Sequence, residues 1–142
     1  MATDGGLRSL FRKHLPKIHW TTVETGLAES GVPDLHGTLR GASFWVECKR
    51  ARGWEVGLRP SQIGWLTRNA RSGGRAFVAV RRSGEMWLVA GKHARRARDD
   101  GLHGLPRGVV LGHWTGGPGR WSWSAIRKIL AGAGGGGRRQ GR

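Results

Sequence analysis

The chain has 142 residues, with 25 Lys plus Arg against nine Asp plus Glu, for a formal net charge of +16. A chain of this length builds one domain with at most an appendage, and so strong a positive charge calls for a polyanionic partner. The one cysteine, Cys48, excludes an internal disulfide and any multi-cysteine zinc site. No apolar run approaches the ~20 residues of a membrane span, and the basic N-terminus lacks a signal peptide's apolar segment, so the expected location is cytoplasmic, away from membranes.

In chain order, Leu7, Leu10, Phe11 and Leu15 recur at helical spacing and predict a helix over residues 5–15, ended by Pro16. Residues 18–23 read as extended, with Glu24 at the element's edge, and residues 26–33 as a loop. Residues 34–49 read as a β-hairpin turning at Gly41-Ala42. That turn sets Leu39 opposite Phe44, Gly37 opposite Val46 and Leu35 opposite Cys48, which makes one face core. By the period of two, the other face carries Asp34, His36, Glu47 and Lys49, with Asp34 opposite Lys49 and diagonal to Glu47.

A basic loop containing Arg50, Arg52 and Trp54 follows, and Arg59-Pro60-Ser61-Gln62 opens a helix with Pro in its first turn. Ile63, Leu66 and Ala70 form its inner stripe, and Gly73-Gly74 stops it. Residues 75–81 predict a strand apolar on both faces, as in the middle of a mixed sheet. Residues 86–90 are a further strand after the Ser83-Gly84 turn, 92–98 a short basic helix, 109–111 an edge strand and 122–131 a terminal amphipathic helix. The Gly/Arg-rich residues 132–142 read as a disordered basic tail, which leaves 1–131 as the folded domain.

Glu24, Glu29, Asp34 and Glu47 concentrate acid in one short stretch of a chain that otherwise has little. Two carboxylates ~4 Å apart repel by about 4 kcal/mol at an effective dielectric of 20. A divalent cation reverses that sign, and Mg²⁺ prefers a few carboxylates with waters and phosphate oxygens. Asp34 and Glu47 are the candidate ligands, the backbone carbonyl of Cys48 is a third, and Lys49 is placed to orient or deprotonate a water and to offset charge. The competing view is an ordinary exposed hairpin face. Arg50, Arg52, Arg59, Arg68 and Arg71 are candidates for tracking a phosphate backbone, and Trp54 for stacking on a base or capping the core.

The segments Gly31-Val32-Pro33-Asp34, Phe44-Trp45-Val46-Glu47-Cys48-Lys49 and Arg59-Pro60-Ser61-Gln62, in that order, resemble the PD-(D/E)xK nuclease superfamily. More narrowly they resemble its small phage and bacterial VRR-NUC members, related to Holliday-junction resolvases. The resemblance covers roughly residues 18–90. It implies an α/β, restriction-endonuclease-like fold, a small mixed β-sheet flanked by helices. It also implies a Mg²⁺-dependent DNA endonuclease, with Mn²⁺ as a substitute, selective for branched or junction DNA in replication, recombination or repair. It puts an upstream acid in the site, assigned to Glu24 with Glu29 as the competing residue, and makes Gln62 a support to Lys49, the water or a phosphate. A homodimer in a bacterial or phage-infected cytosol goes with it. The alternatives are a non-catalytic basic DNA-binding protein and a sequence-preferring restriction-type nuclease.

Overall fold

The computed structural model describes residues 3–23 and 30–132. Helix α1 (Leu7–His14) leads into β1 (His19–Thr22), and β2 (Leu35–Leu39) and β3 (Ala42–Arg50) form the hairpin. Helix α2 (Pro60–Arg71) returns the chain to β4 (Ala76–Arg82), which turns into β5 (Glu85–Ala90). Helix α3 (Ala94–Asp100), β6 (Val110–Trp114) and α4 (Trp123–Ala131) complete the order. No helix among the described residues is long and apolar enough to cross a membrane.

The six strands of the described residues form one sheet in the order β1-β2-β3-β4-β5-β6. Only β3 and β4 run parallel, and α2 joins them. A parallel pair needs such a crossover, because no tight turn can join strands running the same way. Each face of the sheet buries its own core. Leu7 and Phe11 of α1 and Ile126 and Leu130 of α4 pack with Leu35, Phe44, Val46, Cys48, Phe77 and Ala79 on one side. On the other, Ile63 and Leu66 of α2 and Ala94 and Ala97 of α3 pack with Val78, Val80 and Val89. Strand β4 sends alternate residues into both cores, which is why its sequence is apolar without a break. The α/β architecture, with helices flanking a small mixed sheet, matches the sequence expectation.

The hairpin register differs from that expectation. The turn centres on Arg40-Gly41 rather than Gly41-Ala42, and both residues have positive φ, 49° and 86°. Leu39 therefore pairs with Ala42, Gly37 with Phe44 and Leu35 with Val46. Gly37 explains the choice: a Cβ there would lie 2.6 Å from Phe44 Cζ, so the glycine leaves the notch that the phenylalanine ring fills. The slip is two positions along β3. Because side chains alternate with period two, every residue keeps its predicted face. What changes is the partner of Asp34: continuing the observed register by one residue brings it opposite Glu47, not Lys49.

The remaining expectations need small adjustments. Strand β6 runs to Trp114, beyond the three residues expected of it, and lies at the edge as predicted. Ser122 caps α4, its side-chain oxygen accepting from Ala125 N–H at 3.3 Å. The tail expected over 132–142 lies, from residue 133, outside the described residues.

Arg40 holds a backbone conformation that costs a non-glycine residue energy, and Asn tolerates it better. Arg40→Asn is expected to raise stability by about 0.5–1 kcal/mol, read as a higher urea midpoint with an unchanged m-value.

Candidate active site

Two facing carboxylates form the centre. The backbone carbonyl of Asp34 accepts from Val23 N–H at 2.9 Å, which anchors it at the start of β2. Its side chain turns across the hairpin, and Oδ2 accepts from Cys48 N–H at 3.1 Å, beyond the last β2–β3 pair. Gly31 keeps the approach to Asp34 tight against α2: its φ is +87°, and a Cβ there would sit 2.1 Å from the carbonyl oxygen of Ser61.

Glu47 projects from β3 on the α2 side and is only 2% exposed. Gln62 Nε2 donates to its Oε2 at 3.1 Å, and Lys49 Nζ lies 3.8 Å from the same oxygen. Among the described residues its other oxygen, Oε1, is buried with no hydrogen-bond partner, although a side-chain interaction with Asp34 also helps to raise the carboxyl. Burial, then the Asp34 charge, push the Glu47 carboxyl up to about 8, against the opposing pull of Lys49 and Arg59. Burial also raises Asp34, partly offset by the Cys48 N–H and the charges of Arg8 and Lys49.

Gln62 has both ends of its amide engaged. It is the third residue of α2, and its Oε1 reaches back to accept from Arg59 N–H at 2.9 Å, half of a capping box. That bond fixes which way the amide points and leaves Nε2 aimed at Glu47. Its hydrogen-bond partner in the site is Glu47.

Glu24 and Glu29 lie outside the described residues, and among the described residues no group of three or more His, Cys, Asp or Glu gathers to hold a metal. The structure does reveal an acid that the sequence reading passed over. Asp4 is 6% exposed, and its charge reaches both Asp34 and Cys48. Burial alone would raise Asp4, but the Arg8 guanidinium at 2.9 Å and the N–H groups of Gly6 and Arg8 outweigh it and hold the carboxyl below its usual range. The only cue in the sequence was an acid three residues before the first apolar position of a basic helix. His36, on the same face as Asp34, shares a 2.6 Å hydrogen bond with Ser43 and packs edge-on against Trp45.

The basic candidates fall into two groups. Arg50 ends β3, Arg52 and Trp54 occupy the turn after it, and Arg59 precedes α2 closely enough for its charge to act on Glu47. Arg68 and Arg71 sit in the last turn of α2, about 14–18 Å further along its axis. All are exposed.

A buried acid with an unpaired oxygen, a second acid opposite it and a carboxyl pushed up to about 8 set this end of the hairpin apart from an ordinary strand surface. The mixed sheet with its crossover helix is a nuclease fold of the PD-(D/E)xK type. Comparison with known families agrees: the model for the archaeal Holliday junction resolvase (Hjc) family matches residues 18–103, and the chain belongs to that family. Among solved structures the chain is similar to Hjc from Archaeoglobus fulgidus, a Holliday junction resolvase from an archaeal hyperthermophile. The identity is 18% and the TM-score 0.49, covering 61% of this chain and 74% of that one. No curated protein matches significantly.

Glu47 binds its proton more tightly when folded, at about 8 against 4.5 for the free side chain, so its contribution to metal-free stability falls as pH rises from 4.5 through 8. Glu47→Gln is expected to be more stable than the parent by about 1–3 kcal/mol at pH 8 and to lose that advantage near pH 5. Urea titrations of both proteins in EDTA across this range measure it.

Proposed function

We propose that this chain is a divalent-metal-dependent endonuclease that hydrolyses DNA phosphodiester bonds and prefers branched or four-way-junction DNA. The observation that carries the reading is Glu47, a carboxylate buried beside a second carboxylate with one oxygen unpaired. Membership of the Hjc family supports the choice of substrate. A VRR-NUC-type relationship and a bacterial or phage setting belong to the same reading and rest on the order of the motifs.

Asp34 and Glu47 would hold Mg²⁺, or Mn²⁺ in its place, with the Cys48 carbonyl and one further acid, Glu24 or Asp4. The bound ion would polarise the scissile phosphoryl group and lower the pKa of a bound water. The chain's own groups account for the rest. Cys48 N–H holds Asp34 in place, and Gln62 holds Glu47. Lys49, on the face of Glu47, stands where it can orient the attacking water, take its proton and offset the charge that builds on phosphorus. Water adds to phosphorus as the bond to the leaving sugar oxygen breaks. Arg50, Arg52, Arg59, Arg68 and Arg71 supply salt-sensitive affinity for the backbone, and the Gly/Arg tail adds to it. Resolving a junction takes two cuts, so the working unit is a homodimer.

Two expectations follow. Lys49→Ala and Glu47→Ala should each lower the cutting of a labelled four-way junction in Mg²⁺ by at least about a thousandfold, with DNA affinity kept or raised for Glu47→Ala. EDTA should stop the parent, and a matched linear duplex should be cut more slowly than the junction. Equal cutting by parent and variants would sink the site. Tight binding of both DNAs without cutting by the parent would leave a basic DNA-binding protein. Asp4→Asn keeps an oxygen that can accept from the Gly6 and Arg8 N–H groups but removes the charge; if Asp4 is the further acid, it should cut at least about tenfold more slowly while Glu24→Gln matches the parent. The reverse result would return that role to Glu24.

A further inference from the structure

Beyond the carboxylates, the carboxyl ends of the two parallel strands open onto a cleft of about 840 Å³ lined by Arg50, Gly53, Arg81, Arg82, Gly84 and Glu85. Open α/β sheets bind ligands at this end. Arg82 shares the face of Glu47, four residues beyond its β4 partner Val78 and so about 13 Å along the strand, while Arg50, at the end of β3, enters the cleft from the opposite face. A strand with its scissile phosphate at the carboxylates therefore has its neighbouring nucleotide within reach of the cleft.

The wall of the cleft is a prepared flat surface. The Arg82 guanidinium lies 3.6 Å from the centre of the Trp54 ring. Arg82 Nε donates to the Gly53 carbonyl at 2.8 Å, and Nη1 pairs with Glu85 Oε2 at 2.8 Å. Glu85 is held in turn by His113 Nε2 at 2.7 Å. Trp54 is braced by edge contact with Trp87 and by His103, yet stays 39% exposed. A surface arginine that only paired with Glu85 would need no indole behind it and no second restraint on its plane. Arg81 is also tied down, through the carbonyls of Ser83 and Gly5, while Arg50 is exposed.

We propose that this cleft is a subsite for one unpaired nucleotide of the DNA, its base stacking on the Arg82 guanidinium backed by Trp54 and its phosphate met by Arg50. Bases and guanidinium planes stack whatever the base identity, so the subsite reads structure and not sequence. A linear duplex keeps its bases stacked inside the helix, whereas a branch point offers one at low cost. The inference rests on the nuclease reading and deepens it: the preference for branched DNA is assigned to Arg82 and Trp54, apart from the groups that cut.

The test uses a four-way junction with 2-aminopurine at the branch point and a matched linear duplex, both bound in EDTA so that neither is cut. The parent should quench the junction probe at least about twofold and bind the junction roughly tenfold tighter than the duplex. Arg82→Lys keeps the charge but loses the plane, and Trp54→Leu loses the backing. Each should abolish quenching and bring the two affinities within about twofold, with duplex affinity unchanged. Arg50→Gln, at an exposed position, should weaken both DNAs and leave the quenching. Quenching and preference retained in Arg82→Lys and Trp54→Leu would overturn the subsite. Cutting in Mg²⁺ is scored separately. A parent that quenches without cutting keeps the subsite and loses the nuclease reading; a parent that cuts, with variants that quench as it does, reverses that result.

Discussion

The organisation of this molecule turns on one buried carboxylate. Glu47 sits in the middle of a nine-residue strand, covered by the first turn of α2, where an ion without a counter-charge is expensive. The protein compensates only in part. Gln62 and Lys49 serve one oxygen, the other has no partner among the described residues, and Asp34 adds a like charge nearby. A fold that tolerates such strain at its centre holds a carboxyl whose pKa burial and a like charge push up to about 8.

Strand β3 makes this arrangement possible. It contributes Phe44, Val46 and Cys48 to one core and turns Glu47 and Lys49 to the opposite face, so the same nine residues anchor the sheet and present the site. The parallel pairing with β4 requires a crossover, and the crossover brings the start of α2 back over Glu47. Gln62 then serves two purposes with one amide, closing the helix terminus and orienting the acid.

The distribution of charge fits the same plan. In a chain of net charge +16, the buried acids Asp4 and Glu47 and the half-buried Asp34 share one end of the β2–β3 hairpin. Arg8 acts on Asp34 from a distance, and Lys49, at 3.8 Å, and then Arg59 act on Glu47. The basic groups beyond them, from Arg50 to Arg82, continue the positive surface past these acids, as suits a polyanionic partner.

Much of this was legible in the residues alone. The period of two assigned every hairpin residue to its face, the unbroken apolar run placed β4 inside the sheet, and Pro60 and Gln62 marked the start of α2. These are local signals, carried by side-chain alternation and by caps. The hairpin register was not legible, because it depended on Phe44 filling the space left by Gly37 across the strand. Nor was the orphaned oxygen of Glu47, the nearness of Asp4, or the Trp54–Arg82 stack, each made by residues far apart in the chain. Sequence by itself determined which residues share a face and which chemistry they carry, since both follow from backbone periodicity and residue type. Only the tertiary structure decided which charges meet and how deeply they are buried, because burial and cross-chain proximity arise when the elements pack.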